Sequence, residues 1–249
     1  MKLRRLVIAG ALWLAGATVA AHAQSPEETR ATLPATIRQA FDSPYGKALV
    51  AELGKSLREN ADASCLAAKG IAPDQLEPRG YDLIVKWGLR TMETANSFID
   101  PKIYHEKFAA LAGRGADEEL ARLRNDTDVK RSMELERPIQ LAEIVDLFFE
   151  QFDRYVLVKQ IKLTAISPLA TGNNNLLEMN PTEAAERKLS QFATTNKSPV
   201  LKKYLELSQQ SLVASTAATK MEDALKMGPD TFVGGMEADL AELCIGSKR

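Results

Sequence analysis

Histidine is nearly absent from this chain. Of 249 residues only His22 and His105 are histidine, so a Ser-His or Cys-His catalytic arrangement in the body of the protein would have to use His105. The same shortage tells against zinc, whose sites draw on several His and Cys ligands. Cysteine is equally scarce: Cys65 and Cys244 are far apart and form no Cys-x-x-Cys pair, which leaves a redox-active dithiol without a motif. There is no Gly-x-Ser-x-Gly elbow and no Ser followed by Lys three residues on. Gly234-Gly235 lies outside any P-loop pattern. Asn125-Asp126-Thr127-Asp128 resembles the start of a calcium loop, but Lys130 stands where the next oxygen ligand belongs. These residues read instead as the cap of a long helix. No metal and no cofactor is expected.

An excess of charge of one sign is missing too. The chain has 32 Lys and Arg against 33 Asp and Glu. Three of the cations, Lys2, Arg4 and Arg5, precede an uncharged stretch over 6–21 and the small-x-small pattern Ala21-His22-Ala23. That is the layout of a secretory signal peptide, and the apolar stretch is shorter than the roughly 20 residues of a membrane span. The Arg4-Arg5 pair also suggests twin-arginine export, although the motif is incomplete and the general secretory route fits better. No Cys lies near the cut, so lipid attachment is not expected. Cleavage after Ala23 leaves residues 24–249, with 32 − 3 = 29 cations against 33 anions, a net charge of −4. That balance offers no footprint for nucleic acid or an anionic membrane. The expectation is a soluble periplasmic protein with a flexible lead over 24–32 and a single domain over 33–249.

An oxidising compartment favours pairing of Cys65 with Cys244. Each lies near an expected helix end, and the loop they would close is nearly the whole mature chain. In the chain-entropy view such a clasp contributes at most about 5 kcal/mol.

Proline placement carries the clearest structural signal. Pro44, Pro101, Pro181 and Pro199 follow Ser43, Asp100, Asn180 and Ser198. A capping side chain before a proline that needs no amide partner is how helices begin. Glu183 would complete a capping box with Asn180. From these starts helices are expected over 33–42, 44–59, 62–69, 80–97, 101–112, 116–124, 128–166 (kinked or split at Pro138), 181–194, 199–227 and 230–244. A polar loop over 171–175 is the most loop-like stretch and a candidate for binding. Alternating strand patterns are missing, so the fold class is all-α: a bundle of about eight to ten helices.

Within 138–163, Leu141, Ile144, Phe148, Phe152 and Tyr155 recur on one face while Val145, Phe149, Val156 and Leu163 occupy others, the mark of a helix buried on all sides. Trp87 is the only tryptophan beyond the leader. Trp87, Phe148, Phe149, Phe152 and Tyr155 are therefore candidates either for core or for an apolar ligand or partner surface. Val200, Tyr204, Leu207, Ser211, Ala214, Ala218, Met221 and Leu225 form a heptad seam, expected to pack on a helix of the same chain, with a dimer contact or a client helix as alternatives. The matching starts Ser43-Pro44 and Ser198-Pro199 are explained by helix capping without internal duplication.

Phe41-Asp42-Ser43-Pro44-Tyr45-Gly46-Lys47 resembles the aromatic-x-Ser-Pro-x-Gly-Lys/Gln helix start of a family of exported bacterial helical proteins of unknown function. The resemblance covers about residues 41–60 and implies secretion and helices, with no activity attached.

Glycan cleavage needs only two carboxylates, and several pairs are present: Glu118 and Glu119, Glu134 and Glu136, Glu183 and Glu186, Glu237 and Asp239. The composition points first to binding without catalysis, as an accessory, chaperone-like or adaptor protein with an envelope protein partner. A carrier of a small apolar ligand or lipid and a cell-wall hydrolase with paired carboxylates are the alternatives.

Overall fold

The structure is a computed structural model that describes residues 26–97, 99–158, 172–218 and 235–246. Its regular elements among these residues are helical, with no strand. They are α1 (Pro26–Asp42), α2 (Pro44–Asn60), α3 (Ala63–Ala68), a 3-10 turn (Pro73–Gln75) running into α4 (Leu76–Ser97), α5 (Pro101–Ala112), α6 (Ala116–Arg124), α7 (Thr127–Val158), α8 (Asn174–Met179), α9 (Thr182–Thr195), α10 (Pro199–Ala218) and α11 (Met236–Glu242). The all-α expectation is met. The expected leader, the far end of the long apolar segment (159–166) and the ends of the last two expected helices (219–227, 230–234) lie outside the described residues.

Capping explains most of the starts. Ser43 Oγ accepts the Gly46 amide at 3.0 Å, Asp100 accepts from Lys102 and Ile103, Ser198 accepts from Leu201 at 3.3 Å, and Asp126 accepts from Asp128 and Val129 at the head of α7. Three expected starts are corrected. Helix α4 begins at Leu76, not at 80, because the 3-10 turn runs directly into it. Helix α1 begins at Pro26, not at 33, and carries Pro34 inside it: a proline removes one backbone bond but does not oblige a helix to start there. At α9 the cap position is Pro181 and has no side-chain cap, because the Asn180 amide is turned to Asp146 at 2.9 Å. The expected loop over 171–175 is shorter among the described residues: Asn173 caps α8, accepting from Asn175 and Leu176.

The described residues fall into two compact units, each discontinuous in sequence. The first takes the start of α1, the end of α4, α5, α6, the first part of α7 and then α9 and α10. Its core is Tyr104, Phe108, Ala116, Leu120, Leu123, Val129, Leu201, Tyr204 and Leu207. Helix α10 packs mainly on α5, so the seam meets a helix of its own chain as expected. The buried stripe is wider than the heptad reading and shifted from it: Leu201, Ser208, Leu212, Ser215 and Thr216 join Tyr204, Leu207 and Ser211, while Val200 and Ala214 are only partly covered. Met221 and Leu225 are outside the described residues. The turn into α10 is tied to α7, since Asn196 donates to Asp128 at 2.7 Å and accepts the Ser198 amide at 2.7 Å.

The second unit takes the rest of α1, α2, α3, most of α4, the last part of α7, then α8 and α11. Here the sulfurs of Cys65 and Cys244 are 2.05 Å apart across 179 residues of sequence. Three bonds surround the clasp: Asp62 donates its amide to the Cys244 carbonyl at 3.0 Å, and Lys69 Nζ reaches the carbonyls of Ala241 and Glu242 at 3.0 and 3.1 Å. A cation on the last carbonyls of α11 is where the helix dipole favours one.

The Ser-Pro-Tyr-Gly segment makes the corner between α1 and α2. Ser43 Oγ donates to the Ala40 carbonyl at 2.6 Å while accepting from Gly46. A Cβ on Gly46 would lie 2.3 Å from the Ala40 oxygen and 2.7 Å from Phe41 Cα, so glycine is required by backbone crossing backbone. Phe41 and Tyr45 flank the corner and are buried.

Candidate functional site

The five aromatic residues singled out from sequence are all interior in the second unit. Trp87, Phe148, Phe149, Phe152 and Tyr155 are 1, 1, 0, 0 and 2% exposed. Trp87 stacks on Phe148 and Phe152 at 6.4 and 5.9 Å, and Phe41 meets Phe148 edge-on at 5.4 Å. Ring-to-ring packing of this kind is stable core. As packed, none of the five presents more than 2% of its surface to solvent.

The carboxylate pairs sort by burial. Glu134 and Glu183 are exposed and pair with Arg131 and Arg187 on their own helices. Asp239 is buried on α11 and accepts from Trp87 Nε1 at 2.7 Å and Lys86 Nζ at 2.6 Å, with Arg90 at 3.8 Å. Burial pushes its pKa up, but the bonds from Lys86 and Trp87 outweigh this and hold it below the usual range. Glu119, fully buried on α6, accepts from Arg122 Nε and Nη2 at 2.8 Å each and from Lys203 Nζ at 2.9 Å, and meets Arg114 Nε at 3.1 Å. The Arg122 bonds, helped by Lys203 and opposed by burial, hold its pKa at about 2. Each of these carboxylates staples a helix of its own unit and is saturated with donors.

Two other acids are held the opposite way. Asp146 on α7 accepts from the Tyr45 hydroxyl and from Asn180, bracketing the start of α2 and the end of α8; burial raises its pKa against those bonds. Glu136, on the part of α7 in the first unit, is pushed by burial and by the charge of Glu143 up to about 7. Glu136 also adds to the field that raises Tyr204, whose main cause is burial. A carboxyl that titrates near neutrality is suited to proton transfer. His105 stands 3.5 Å from Asp117 through Nδ1 and edge-on to Tyr104. Among the described residues no three of the His, Cys, Asp and Glu side chains gather to hold a metal, and no helix is long and apolar enough to cross a membrane.

At the surface, α10 is two-sided. Opposite its packed stripe, Leu205, Gln209 and Val213 succeed one another at four-residue steps and all face solvent, with Leu205 42% and Val213 62% exposed. The Lys202–Glu206 pair flanks them. The inward seam dominates the periodicity of α10, and the outward apolar line, broken by Gln209, is a weaker periodic signal. In the second unit the exposed large apolar side chains among the described residues are Leu157 on α7, 78% exposed, and Leu177 and Met179 on α8.

The chain matches no family model, and no curated protein or solved structure matches it at a significant level.

Proposed function

We propose that this is an exported protein of the bacterial cell envelope that works by binding a protein partner, as an adaptor or chaperone-like accessory, through the outer face of α10. The observation that carries the reading is the exposed line of Leu205, Gln209 and Val213 on a helix whose other face is locked into a core. Apolar anchors four to eight residues apart on a rigid helix are what an amphipathic partner helix engages, and large exposed aliphatic groups on a fixed element favour association. Export is supported by the leader pattern and by Cys65 and Cys244 standing at disulfide distance.

The test is a photo-reactive side chain at 205 or 213, activated in cells and read from the periplasmic fraction. A discrete adduct from both positions, with the 213 adduct lost on Leu205→Glu and none from the reactive group at the exposed Lys188 on α9, is the expected result. Equal labelling from all three sites, or no adduct from 205 and 213, would refute it.

A second reading is favoured by Glu136. A carboxyl that keeps its proton to about pH 7 beside a second carboxylate, Glu143, has the makings of an acid and base pair for glycan hydrolysis. Muropeptide release from purified sacculi that disappears in Glu136→Gln would establish it; no release across a pH series would end it.

A further inference from the structure

We propose that Arg114, Arg122 and Lys203 form a binding site for a phosphate-bearing anion on the surface of the first unit, organised from below by Glu119. The three cations come from three places: the turn before α6, α6 itself and α10. All three converge on one carboxylate that is itself 0% exposed, at 3.1, 2.8 and 2.9 Å. Their own side chains are 51, 45 and 42% exposed, so the carboxylate lies inside and the cationic heads reach water.

Counting donors shows what is left over. Each guanidinium has five N–H groups and an ammonium has three. Glu119 accepts from Nε and Nη2 of Arg122 and from one Nζ proton of Lys203, and forms an ion pair with Arg114 Nε at 3.1 Å. The remaining donors of all three make no hydrogen bond to another side chain among the described residues, and the three side chains are about half exposed. Charge points the same way, since one carboxylate answers three cations. Of the neighbouring acids, Asp126 contributes to the field at Arg122 but has its Oδ1 committed to the amides of Asp128 and Val129, and Asp117 stands beside His105.

Holding like charges this close is unfavourable, and an anion above the heads relieves it. Arginine forks and a lysine point charge are the usual partners of phosphate oxygens. Glu119 fixes the fork of Arg122 before any ligand arrives, which lowers the ordering cost of binding. The arrangement is unlike the exposed single pairs Arg131–Glu134 and Arg187–Glu183 elsewhere in this unit, where each cation has its own acid.

The shared chemistry is a phosphate group, carried either by a small solute or by a lipid headgroup. The experiment uses the whole mature protein. Nitrogen-15 spectra of the arginine Nε groups are followed while pyrophosphate is added at constant ionic strength. In parallel, the protein is sedimented with vesicles of phosphatidylglycerol in phosphatidylcholine or of phosphatidylcholine alone. The expected result is a saturable shift of Arg114 and Arg122 with Arg131 and Arg187 unmoved, weakened about tenfold in Lys203→Gln. Sedimentation with the anionic vesicles alone would assign the site to a headgroup, and a saturable pyrophosphate shift would assign it to a solute. Lys203→Gln leaves the Arg122–Glu119 fork in place, and its circular dichroism checks that the fold survives. Equal drift of all four arginines, or neither saturation nor anionic-vesicle binding, would overturn the proposal.

Discussion

Replacing Glu119 by Gln is the sharpest perturbation of the fold. The side chain is fully buried with three donors on its two oxygens at 2.8, 2.8 and 2.9 Å, and an ion pair to Arg114 at 3.1 Å. Glutamine keeps one acceptor and places an amide N–H₂ against a cation. The fall in pKa from 4.5 to about 2 corresponds to about 3 kcal/mol in favour of the ionised form. The cations are 42–51% exposed, so solvent screens part of this, and about 2 kcal/mol is the expected destabilisation at neutral pH. The assay is urea unfolding of parent and variant at a series of pH values. A depressed carboxyl contributes stability that is present above the unfolded value and lost as pH falls through the folded one. The gap between the two proteins should therefore close between about pH 4.5 and about pH 2. High salt should narrow it less than it narrows the exposed Arg187–Glu183 pair. A variant as stable as the parent at pH 7, or a gap unchanged in acid, would refute the staple.

Other outcomes follow from the same geometry. Gly46→Ala puts a Cβ 2.3 Å from a carbonyl oxygen and should lose about 2 kcal/mol or more by thermal unfolding; a neutral substitution would contradict the corner between α1 and α2. Glu136 has a raised pKa, so its contribution is fully present below pH 4.5 and lost as pH rises to about 7. Glu136→Gln should flatten that part of the stability profile and be more stable than the parent at pH 8; an identical pH profile would count against the burial of Glu136. Cys65→Ser with Cys244→Ser opens a loop spanning 179 residues and should cost up to about 5 kcal/mol in denaturant unfolding, with no change in a reducing buffer. Leu205→Glu and Val213→Glu should melt with the parent, since surface changes away from packed features stay within about 0.5 kcal/mol; a large loss of stability would show that the outer face of α10 is packed.

Local chemistry made most of the fold legible. Ser43, Asp100 and Ser198 begin helices because a capping oxygen and a following proline act within four residues. The rules misled where a distant partner competed for the same side chain, as at Asn180, whose amide goes to Asp146 across 34 residues. The ring cluster was recognisable as buried from its spacing on α7, whereas the stacking of Trp87 on Phe148 and Phe152 joins two helices and leaves no mark in that spacing. Glu119 and Asp239 looked like any surface acids because the groups that bury them, Lys203 and Lys86, lie 84 and 153 residues away. The pull of a neighbouring charge on Glu136 is partly sequence-local, since Glu143 is two turns along the same helix. Its burial depends on tertiary packing, which has no mark in the sequence.

Native mass spectrometry of the protein recovered from the periplasmic fraction of cells that produce it tests the central claim most directly. An exported binding protein predicts a chain cut after Ala23 and lighter by two hydrogens for the Cys65–Cys244 bond, found alone or with a protein partner that crosslinks to 205. An uncut chain with two free thiols would contradict export. A mature chain carrying excess mass of lipid size would contradict the protein-partner reading and point back to the aromatic interior.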